Sequence, residues 1–373
     1  MYAYRTFVAA VLLAASLPAA AEARSWILET EAGPVRAEAV ADGLNHPWAM
    51  TFLPDGRALV TERAGDLRIL RTDGTMSGPL SGVPAVRARG QGGLLDVALD
   101  PAFAENRLVY LSFAETGDGG AGTALGRGRL VDDRIDGFQV IFRQRPKVSG
   151  NGHYGGRIAF APDGTLFLTM GDRQKLDPAQ DLSDHMGTIV RLNPDGSVPA
   201  DNPFVGQAGA LPEIWSYGHR NVEAAAIHPE TGLLWEAEMG PRGGDELNQP
   251  ERGRNHGWPL VSWGTHYSGR DIPDPPTRPE FADAKTYWVP SISPSGMAIY
   301  TGDMFPAWRG NVLLGALSGR ALVRIVLDGN EVAGQERIAT GTRIREVEQG
   351  PDGSIYLLTD SRNGEIWRLR PDG

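Results

Sequence analysis

The feature that most limits the fold of this 373-residue chain is a hairpin pattern that recurs along it. Residues 151–172 contain two apolar runs, RIAFA and TLFLTM, on either side of the turn sequence PDG. A PDG turn between two strand-like runs also occurs at 45–63 and 343–361, and looser copies lie at 92–115, 221–240 and 295–317. Six hairpins repeated at intervals of tens of residues predict the blades of a β-propeller.

Composition and periodicity agree with a fold built from short strands. The chain has 48 Gly and 27 Pro, which favour frequent turns over long helices, and no segment keeps a helical period. Further alternating runs follow the hairpins, for example at 66–70, 187–193 and 365–370. We therefore predict an all-β protein, a six-bladed β-propeller with four-stranded antiparallel blades, whose first and last blades close on each other.

Residues 1–23 have the composition of a secretory signal peptide. Arg5 precedes the apolar run VAAVLLAASL, and the segment ends in A-E-A, so we expect cleavage after Ala23. The run is too short to span a bilayer, and no later stretch of the sequence is long and apolar enough. The expected organisation is a signal peptide at 1–23 and a single propeller domain at 24–373, exported to the periplasm.

Charge and cysteine content exclude several classes of function. The formal net charge of −10 argues against nucleic acid and anionic membrane surfaces as partners. The chain has no Cys, which excludes cysteine catalysis, thiolate metal sites and disulfides.

A histidine and an aspartate bracket the hairpin at 151–172. Residues equidistant from a hairpin turn face each other across the ladder. His153 and Asp172 lie about equally far from the turn residue Asp163, so we expect them to meet at the open end of the hairpin. An aspartate beside a histidine fixes its tautomer and stabilises its protonated form, which makes this pair a candidate for general base catalysis.

In the other hairpins, pairing residues at equal distance from the turn predicts a cluster of polar groups on one rim of the propeller. It places Arg220 opposite Gly240 and Pro241, and Arg343 opposite Ser361. If all blades share one orientation, these groups surround the central channel. The predicted rim comprises Gln91, His153, Asp172, Arg220, Gly240, Pro241, Arg343 and Arg345.

Three other motifs have weaker interpretations. The adjacent acids of PRGGDELN (241–248) form either a solvated turn or a set of oxygen ligands for a hard cation. The histidines other than His153 lack H-x-H or H-E-x-x-H spacing, which argues against a histidine metal site. GDGGAG (117–122) matches a dinucleotide-binding pattern, but no helical sequence follows it, so we expect a loop between strands.

Several longer stretches resemble the glucose/sorbosone dehydrogenase family, and within it the soluble pyrroloquinoline quinone (PQQ)-dependent aldose sugar dehydrogenases. These stretches follow one another in order over nearly the whole chain after the signal peptide: GQGGLLDVALDP (90–101), HYGGRIAFAPDGTLFLTMGD (153–172), WSYGHRN (215–221), GPRGGDELN (240–248), RNHGWP (254–259), PSISPSGMAIYTGDMFPAWRGN (290–311) and RIREVEQGPDGSIYLLTD (343–360). The resemblance implies a six-bladed propeller with PQQ and Ca²⁺ in its central cleft.

By position, the resemblance also implies roles for single residues. His153 corresponds to the catalytic base and Asp172 to its carboxylate partner. Ser318 stands where the glucose dehydrogenases have a lysine directed at PQQ, which leaves Arg320 as the candidate substitute. The other implied contacts to PQQ are Gln91, Arg220, Arg343 and Arg345.

The implied calcium ligands fall in two groups. The main-chain carbonyls of Gly240 and Pro241 correspond to ligands of the calcium ion at the cofactor. Glu246 and the main-chain carbonyl of His256 correspond to ligands of a second, structural calcium ion. Met239 and Gly152 depart from the family pattern at positions near the implied cofactor site.

The expected activity is oxidation of the C1 hydroxyl of an aldose sugar to the lactone. The expected partners are the sugar and an electron acceptor of unidentified class, with no membrane span, in a monomer or weak homodimer. One alternative is a calcium-dependent lactone hydrolase, because six-bladed propellers also host that chemistry; it requires carboxylates converging on one central metal. A non-catalytic binding propeller is the other alternative.

Overall fold

The computed structural model describes Met1 and residues 24–373, and the predicted signal peptide falls almost entirely on 2–23, outside the described residues. None of the helices in the described part has the length and apolar character needed to cross a bilayer. The strands are β1 (Ser25–Leu28), β2 (Val35–Leu44), β3 (Pro47–Phe52), β4 (Ala58–Glu62), β5 (Leu67–Leu70), β6 (Leu94–Leu99), β7 (Leu108–Gly117), β8 (Gly120–Val131), β9 (Arg134–Arg143), β10 (Ile158–Phe160), β11 (Leu166–Thr169), β12 (Thr188–Leu192), β13 (Ile214–Tyr217), β14 (Val222–Ile227), β15 (Leu234–Glu238), β16 (Asp245–Asn248), β17 (Thr286–Trp288), β18 (Pro294–Ile299), β19 (Val312–Ala316), β20 (Ala321–Asp328), β21 (Glu331–Ala339), β22 (Ile344–Gln349), β23 (Ile355–Thr359) and β24 (Gly364–Pro371).

Helices are short where the structure describes them. A single turn of α-helix, α1, covers Phe103–Asn106, and 3₁₀ turns cover Asp177–Gln180, Pro275–Thr277 and Pro306–Trp308. The motif GDGGAG contributes the tight turn between β7 and β8, so it connects two strands, as predicted.

The strands form antiparallel sheets arranged as a closed ring of six blades. Blades 1 to 5 are β3–β5, β6–β9, β10–β13, β14–β17 and β18–β21, and blade 6 combines β22–β24 with β2 and β1. The first strand of each blade contacts the first strands of both neighbouring blades, including β22 with β3. The six-bladed propeller and its closure are thus confirmed.

Two blades differ from the predicted four strands. Blade 1 has three strands and blade 6 has five. The difference arises because β2 pairs with β24, from Val35 opposite Pro371 to Leu44 opposite Gly364, and β1 then adds to β2. Strands that precede blade 1 in the chain therefore complete the last blade and close the ring.

The PDG turns give three of the hairpins the same local geometry. Gly56, Gly164 and Gly353 each have a positive φ, of 84°, 83° and 83°, a conformation that glycine adopts without steric cost. The aspartate before each glycine accepts a hydrogen bond from the main-chain N–H two residues later, as between Asp163 Oδ1 and Thr165 N at 2.9 Å. Such Asx turns fix the chain reversal locally.

Most of the hydrophobic core is divided among the junctions between blades. Trp48 and Leu59 of blade 1, for example, pack in one cluster with Leu94 and Phe113 of blade 2. Corresponding clusters join blades 2 and 3, 3 and 4, 4 and 5, 5 and 6, and 6 and 1. Apolar burial is therefore distributed around the ring rather than concentrated at its axis.

A buried arginine links blades across the central channel. Arg157, at the start of blade 3, pairs through Nη1 with Glu346 of blade 6 and lies 3.5 Å from Asp96 Oδ1 of blade 2. Its Nε donates to the main-chain carbonyl of Glu223 in blade 4 at 2.7 Å. The guanidinium carbon lies 4.0 Å from the centre of the Trp48 ring in blade 1. One side chain thereby contacts four other blades.

Candidate active site

The predicted pair of His153 and Asp172 lies at one rim of the channel. Nδ1 of His153 is 2.6 Å from Oδ1 of Asp172, and the second carboxylate oxygen accepts a hydrogen bond from Trp258 Nε1 at 2.8 Å. The main-chain N–H of His153 donates to Gln91 Oε1 at 2.5 Å. Because the carboxylate accepts from Nδ1, the proton of neutral His153 resides on Nδ1, and Nε2 carries the free lone pair.

The environment of Asp172 keeps it ionised. Burial opposes its ionisation, but hydrogen bonds and charge from His153, together with the bond from Trp258, outweigh burial and hold the pKa of Asp172 below its ordinary value. Nε2 of His153 makes no hydrogen bond within residues 24–373. The pair therefore presents a basic nitrogen whose conjugate acid the aspartate stabilises.

Arg220 places a cation at the same rim. Its Nη1 donates to the main-chain carbonyls of Met239 and Gly240 at 2.7 and 2.6 Å. Its Nε is buried without a hydrogen-bond partner among the described residues. A buried N–H of a cation without an acceptor is costly, so this position favours an anionic ligand.

Two aromatic side chains flank the Arg220 guanidinium. Its central carbon lies 5.2 Å from the centre of the Trp258 ring, and Trp258 is the residue that also holds Asp172. Nη2 of Arg220 is 3.3 Å from the hydroxyl of Tyr267. The indole of Trp258 therefore connects the cation to the histidine–aspartate pair.

The bend at Gly240 and Pro241 is fixed by a buried carboxylate. Oδ1 of Asp245 accepts from the main-chain N–H of Gly240 at 2.8 Å. Its Oδ2 accepts from the N–H groups of Ile292 and Ser293, each at 2.7 Å. One side chain of β16 thus anchors both the bend and the segment before β18.

Glycine is required at the first residue of this bend. A side chain at position 240 would place Cβ 2.2 Å from the main-chain carbonyl oxygen of Gly244. The hydrogen bond from Arg220 to the Gly240 carbonyl shows that these two residues face each other. Their equal distance from the hairpin turn predicts this pairing.

The acid pair of PRGGDELN is not in a solvated turn, so that interpretation is wrong. Asp245 and Glu246 begin β16, and Asp245 is only 1% exposed. Glu246 lines a small cavity with Glu238 and His256. Burial and the neighbouring charge of Glu238 raise the pKa of Glu246 well above its ordinary value, which indicates that this carboxylate lacks a compensating cation.

The sixth hairpin differs in register from the prediction. Arg343 faces Asp360 rather than Ser361, because a bulge between Ile344 and Glu346 shifts the ladder by one residue. The main-chain N–H of Asp360 donates to the carbonyl of Arg343 at 3.0 Å, and Arg343 Nε lies 3.2 Å from Asp360 Oδ2.

Asp360 also contacts His46 and Arg345 at the rim. Its Oδ1 is 2.8 Å from His46 Nδ1, and its Oδ2 is 3.4 Å from Arg345 Nη2. Arg345 is buried and also donates to Glu223 Oε2 at 2.5 Å, so it is committed to carboxylates of the protein. Burial opposes ionisation of Asp360, but the charges of Arg345 and Arg343 and the bond from His46 lower its pKa strongly.

Ser318 and Arg320 lie apart from these contacts. The Ser318 hydroxyl is 2.8 Å from that of Ser293 and 3.2 Å from the main-chain carbonyl of Ser291. Both Ser318 and Arg320 are exposed, and Arg320 has a positive φ of 47°. No side-chain hydrogen bond within the described residues joins either of them to His153, so their assignment to the cofactor stays a prediction.

Three rim residues were missed by sequence reasoning. Trp258 holds Asp172 from 86 residues away in the chain, and His46 with Asp360 forms a second histidine–carboxylate pair. The motif RNHGWP contains Trp258, but no local pattern indicates that an indole reaches a distant aspartate. The second pair has a detectable signal, because His46 precedes the first hairpin as His153 precedes the third.

Comparison with known proteins points to a single family. The family model described as glucose / sorbosone dehydrogenase matches residues 44–368. Aldose sugar dehydrogenase YliI of Escherichia coli is 46% identical over 350 residues, which cover 90% of this chain and 93% of that protein.

Solved structures agree with this match. The apo-form of the soluble aldose sugar dehydrogenase from Escherichia coli superposes with a TM-score of 0.86 at 45% identity, covering 91% of this chain and 100% of that one. The PQQ-bound form of aldose sugar dehydrogenase from Streptomyces coelicolor gives a TM-score of 0.73 at 28% identity, covering 94% and 100%.

Proposed function

Because the chain belongs to the glucose/sorbosone dehydrogenase family, we propose that it is a PQQ-dependent sugar dehydrogenase that oxidises the C1 hydroxyl of an aldose to the lactone. The observation that carries this proposal is the His153–Asp172 pair, whose free Nε2 lies at the same rim as Arg220. A base and an anion-binding cation are the two groups that this reaction requires from the protein.

The residues at the rim fit PQQ. This cofactor carries carboxylates, and the unpartnered Nε of Arg220 is a donor of the kind that carboxylates bind. Gln91 and Arg343 are further proposed direct contacts, and Ser318 and Arg320 remain the contacts proposed from the resemblance. The buried Arg345 acts through Asp360, because its guanidinium is already held by carboxylates of the protein.

The bend beside Arg220 fits the calcium ion at the cofactor. The main-chain carbonyls of Gly240 and Pro241 lie in a turn that Asp245 holds in place. Carbonyl oxygens are ligands that Ca²⁺ prefers, and the Gly240 oxygen, which accepts from Arg220 Nη1, has a second lone pair for the ion. These two residues are therefore the proposed protein ligands of that ion.

In the proposed reaction, His153 removes the proton of the sugar C1 hydroxyl through Nε2. Bound PQQ supplies the two-electron acceptor for the hydride that leaves C1. Asp172 keeps the Nδ1 proton in place and stabilises the imidazolium that forms, and Trp258 keeps Asp172 in position. The sugar thereby loses one proton and one hydride, which balances its oxidation to the lactone.

Location and partners are part of the same proposal. The signal peptide predicted at 1–23 supports export to the periplasm, with an aldose and a separate electron acceptor as the proposed partners. The lactone hydrolase alternative has less support, because the axial carboxylates Asp96 and Glu346 already contact a cation of the protein, Arg157.

The proposal is tested by reconstitution. We expect the purified protein, freed of cofactor, to reduce an artificial dye with glucose or another aldose only after PQQ and Ca²⁺ are added. A protein that uses NAD, or that hydrolyses lactones and gains nothing from PQQ, contradicts the proposal. Omitting the sugar while keeping PQQ and Ca²⁺ controls for direct reduction of the dye.

Glu246 supports a prediction about the second calcium ion. Glu246→Ala should lower Tm in excess Ca²⁺ more than it changes the rate of sugar oxidation, because a ligand that binds only the folded state adds stability by mass action. The comparison is made between excess Ca²⁺ and chelator for the wild type and the variant. Equal Tm values for both proteins under both conditions would count against a structural calcium ion at Glu246.

A further inference from the structure

A second group of buried polar side chains lies on blade 4, beside the proposed active site. β15 and β16 pair with Glu236 opposite Asn248 and Glu238 opposite Glu246. Because side chains two residues apart on a strand point to the same side, these four share one face of the sheet. Three carboxyl groups are therefore gathered on one surface of the blade.

Two histidines from other segments converge with Glu236 on this face. One potential ligand atom from each of His219, Glu236 and His256 lies within 4.8 Å of the other two. Nδ1 of His219 is 3.6 Å from Glu236 Oε1 and 3.1 Å from Glu238 Oε1. The imidazole rings of His219 and His256 stack with their centres 4.4 Å apart.

Several of these polar atoms have no partner. Both carboxylate oxygens of Glu236 and both ring nitrogens of His256 are buried without a hydrogen bond among the described residues. Glu236 is 0% exposed and His256 is 6% exposed. Each buried polar atom left without a partner is costly, so four of them in one cluster indicate a ligand that satisfies them.

The cluster also lacks a compensating cation within the described part of the chain. The carboxyl groups are those of Glu236, Glu238 and Glu246. Arg220 approaches them only with its main-chain N–H, which donates to Glu238 Oε2 at 2.5 Å. Its guanidinium is directed to main-chain carbonyls instead. Buried carboxylates are normally paired with cations or bound to metals.

We propose that the side chains of His219, Glu236 and His256 bind a divalent transition-metal ion, with Zn²⁺ as the ion that fits best and Glu238 as the fourth ligand. Imidazole nitrogen with carboxylate oxygen is a donor set typical of zinc, whereas Ca²⁺ prefers oxygen alone.

The neighbours of His219 leave the correct nitrogen available. Nε2 of His219 lies 2.9 Å from Ser216 Oγ, and donation to that hydroxyl directs the Nδ1 lone pair toward the cluster. The metal would then replace the contact of 3.1 Å between Nδ1 and Glu238 Oε1. The proposed site also differs from the predicted structural calcium site, which uses Glu246 and the main-chain carbonyl of His256 rather than its ring.

Spacing along the chain argues against a histidine metal site, because no single segment contains two suitably placed histidines. The fold nevertheless brings His219, Glu236 and His256 close together from three separate segments. A buried site with four protein ligands is of the structural kind, and here it ties the loop containing His256 to blade 4.

The test uses the full chain after the predicted signal peptide, treated with a chelator. We expect about one Zn²⁺ per chain to bind in the presence of excess Ca²⁺, to raise Tm, and to be replaced by Co²⁺ with visible absorption bands of nitrogen–oxygen coordination. Glu236→Gln and His256→Gln should each weaken Zn²⁺ binding by on the order of 100-fold or more, since even groups that only orient metal ligands contribute 10–100-fold.

Glu348→Gln is the matched control. Glu348 is a half-buried residue of blade 6. Burial and the charge of Glu346 raise the pKa of its carboxyl well above the ordinary value, as burial and Glu238 do for Glu236. Its substitution removes a comparable carboxyl from another blade and should leave Zn²⁺ binding unchanged.

Two results would overturn the proposal. The first is that Ca²⁺ binds and stabilises the wild type whereas Zn²⁺ and Co²⁺ do not. This measurement does not depend on how the variants fold. The other is wild-type Zn²⁺ affinity in Glu236→Gln, with a higher Tm in the metal-free state, which would identify Glu236 as a protonated carboxyl without a metal.

Discussion

Replacing His153 with alanine should slow the reduction of bound PQQ by sugar about 10²–10⁴-fold, the usual contribution of a general base. PQQ should still bind, because Gln91, Arg220 and the bend at Gly240 are unchanged. The measurement is stopped-flow reduction of the cofactor by sugar, separated from its reoxidation by dye. Asp172→Asn should also fold and bind PQQ but lose part of the rate, because an amide does not hold the Nδ1 proton or stabilise the imidazolium.

The matched control is His228→Ala. His228 is buried in the turn region between β14 and β15, where Nδ1 lies 3.3 Å from the main-chain nitrogens of Glu230 and Thr231, so it tests loss of a buried histidine away from the rim. Its substitution should lower Tm without slowing the reductive step. If sugar reduces the PQQ bound to His153→Ala at the wild-type rate, His153 has only a structural role.

Arg157→Met should produce the largest loss of stability. It leaves Asp96 and Glu346 buried without their cation, and breaking such a pair costs about 3–5 kcal/mol. For a chain of this length, that free energy corresponds to a fall in Tm of roughly 4–7 °C. The measurement is thermal unfolding followed by circular dichroism at neutral pH.

Two further variants separate charge from packing. Adding Glu346→Gln to Arg157→Met should recover part of the lost Tm, because it removes one uncompensated carboxylate. Arg191→Met is the matched control: Arg191 is also buried, but its partners Asp163 and Asp201 are 52% and 74% exposed and return to water without it. A fall in Tm for Arg191→Met as large as for Arg157→Met would contradict the role assigned to the axial network.

The repeated hairpins are predictable because they are encoded locally. The PDG turns fix three of the chain reversals within a few residues. Equal distance from the turn is sufficient to bring His153 to Asp172 and, in a looser copy without PDG, Arg220 to Gly240. A bulge inserts one extra residue into one strand and shifts the pairing beyond it, which is why equal distance from the turn pairs Arg343 with the wrong residue.

Contacts between distant segments are beyond the reach of sequence patterns. Trp258 and Asp172 belong to different blades, as do Arg157 and Glu346, and no periodicity relates them. The histidines and glutamate of the proposed zinc site are likewise separated along the chain, and only the fold places them together. The five strands of blade 6 also depend on a long-range pairing, that of β2 with β24.

The pairing of β2 with β24 sets the order in which the molecule can be assembled. The ring closes only when residues 364–371 are available, so a growing chain with five finished blades still has two exposed blade faces. Each core cluster at a blade junction needs two blades, and the clusters that involve blade 6 form last. The ring therefore stays open until residues 364–371 have been synthesised and can pair with β2.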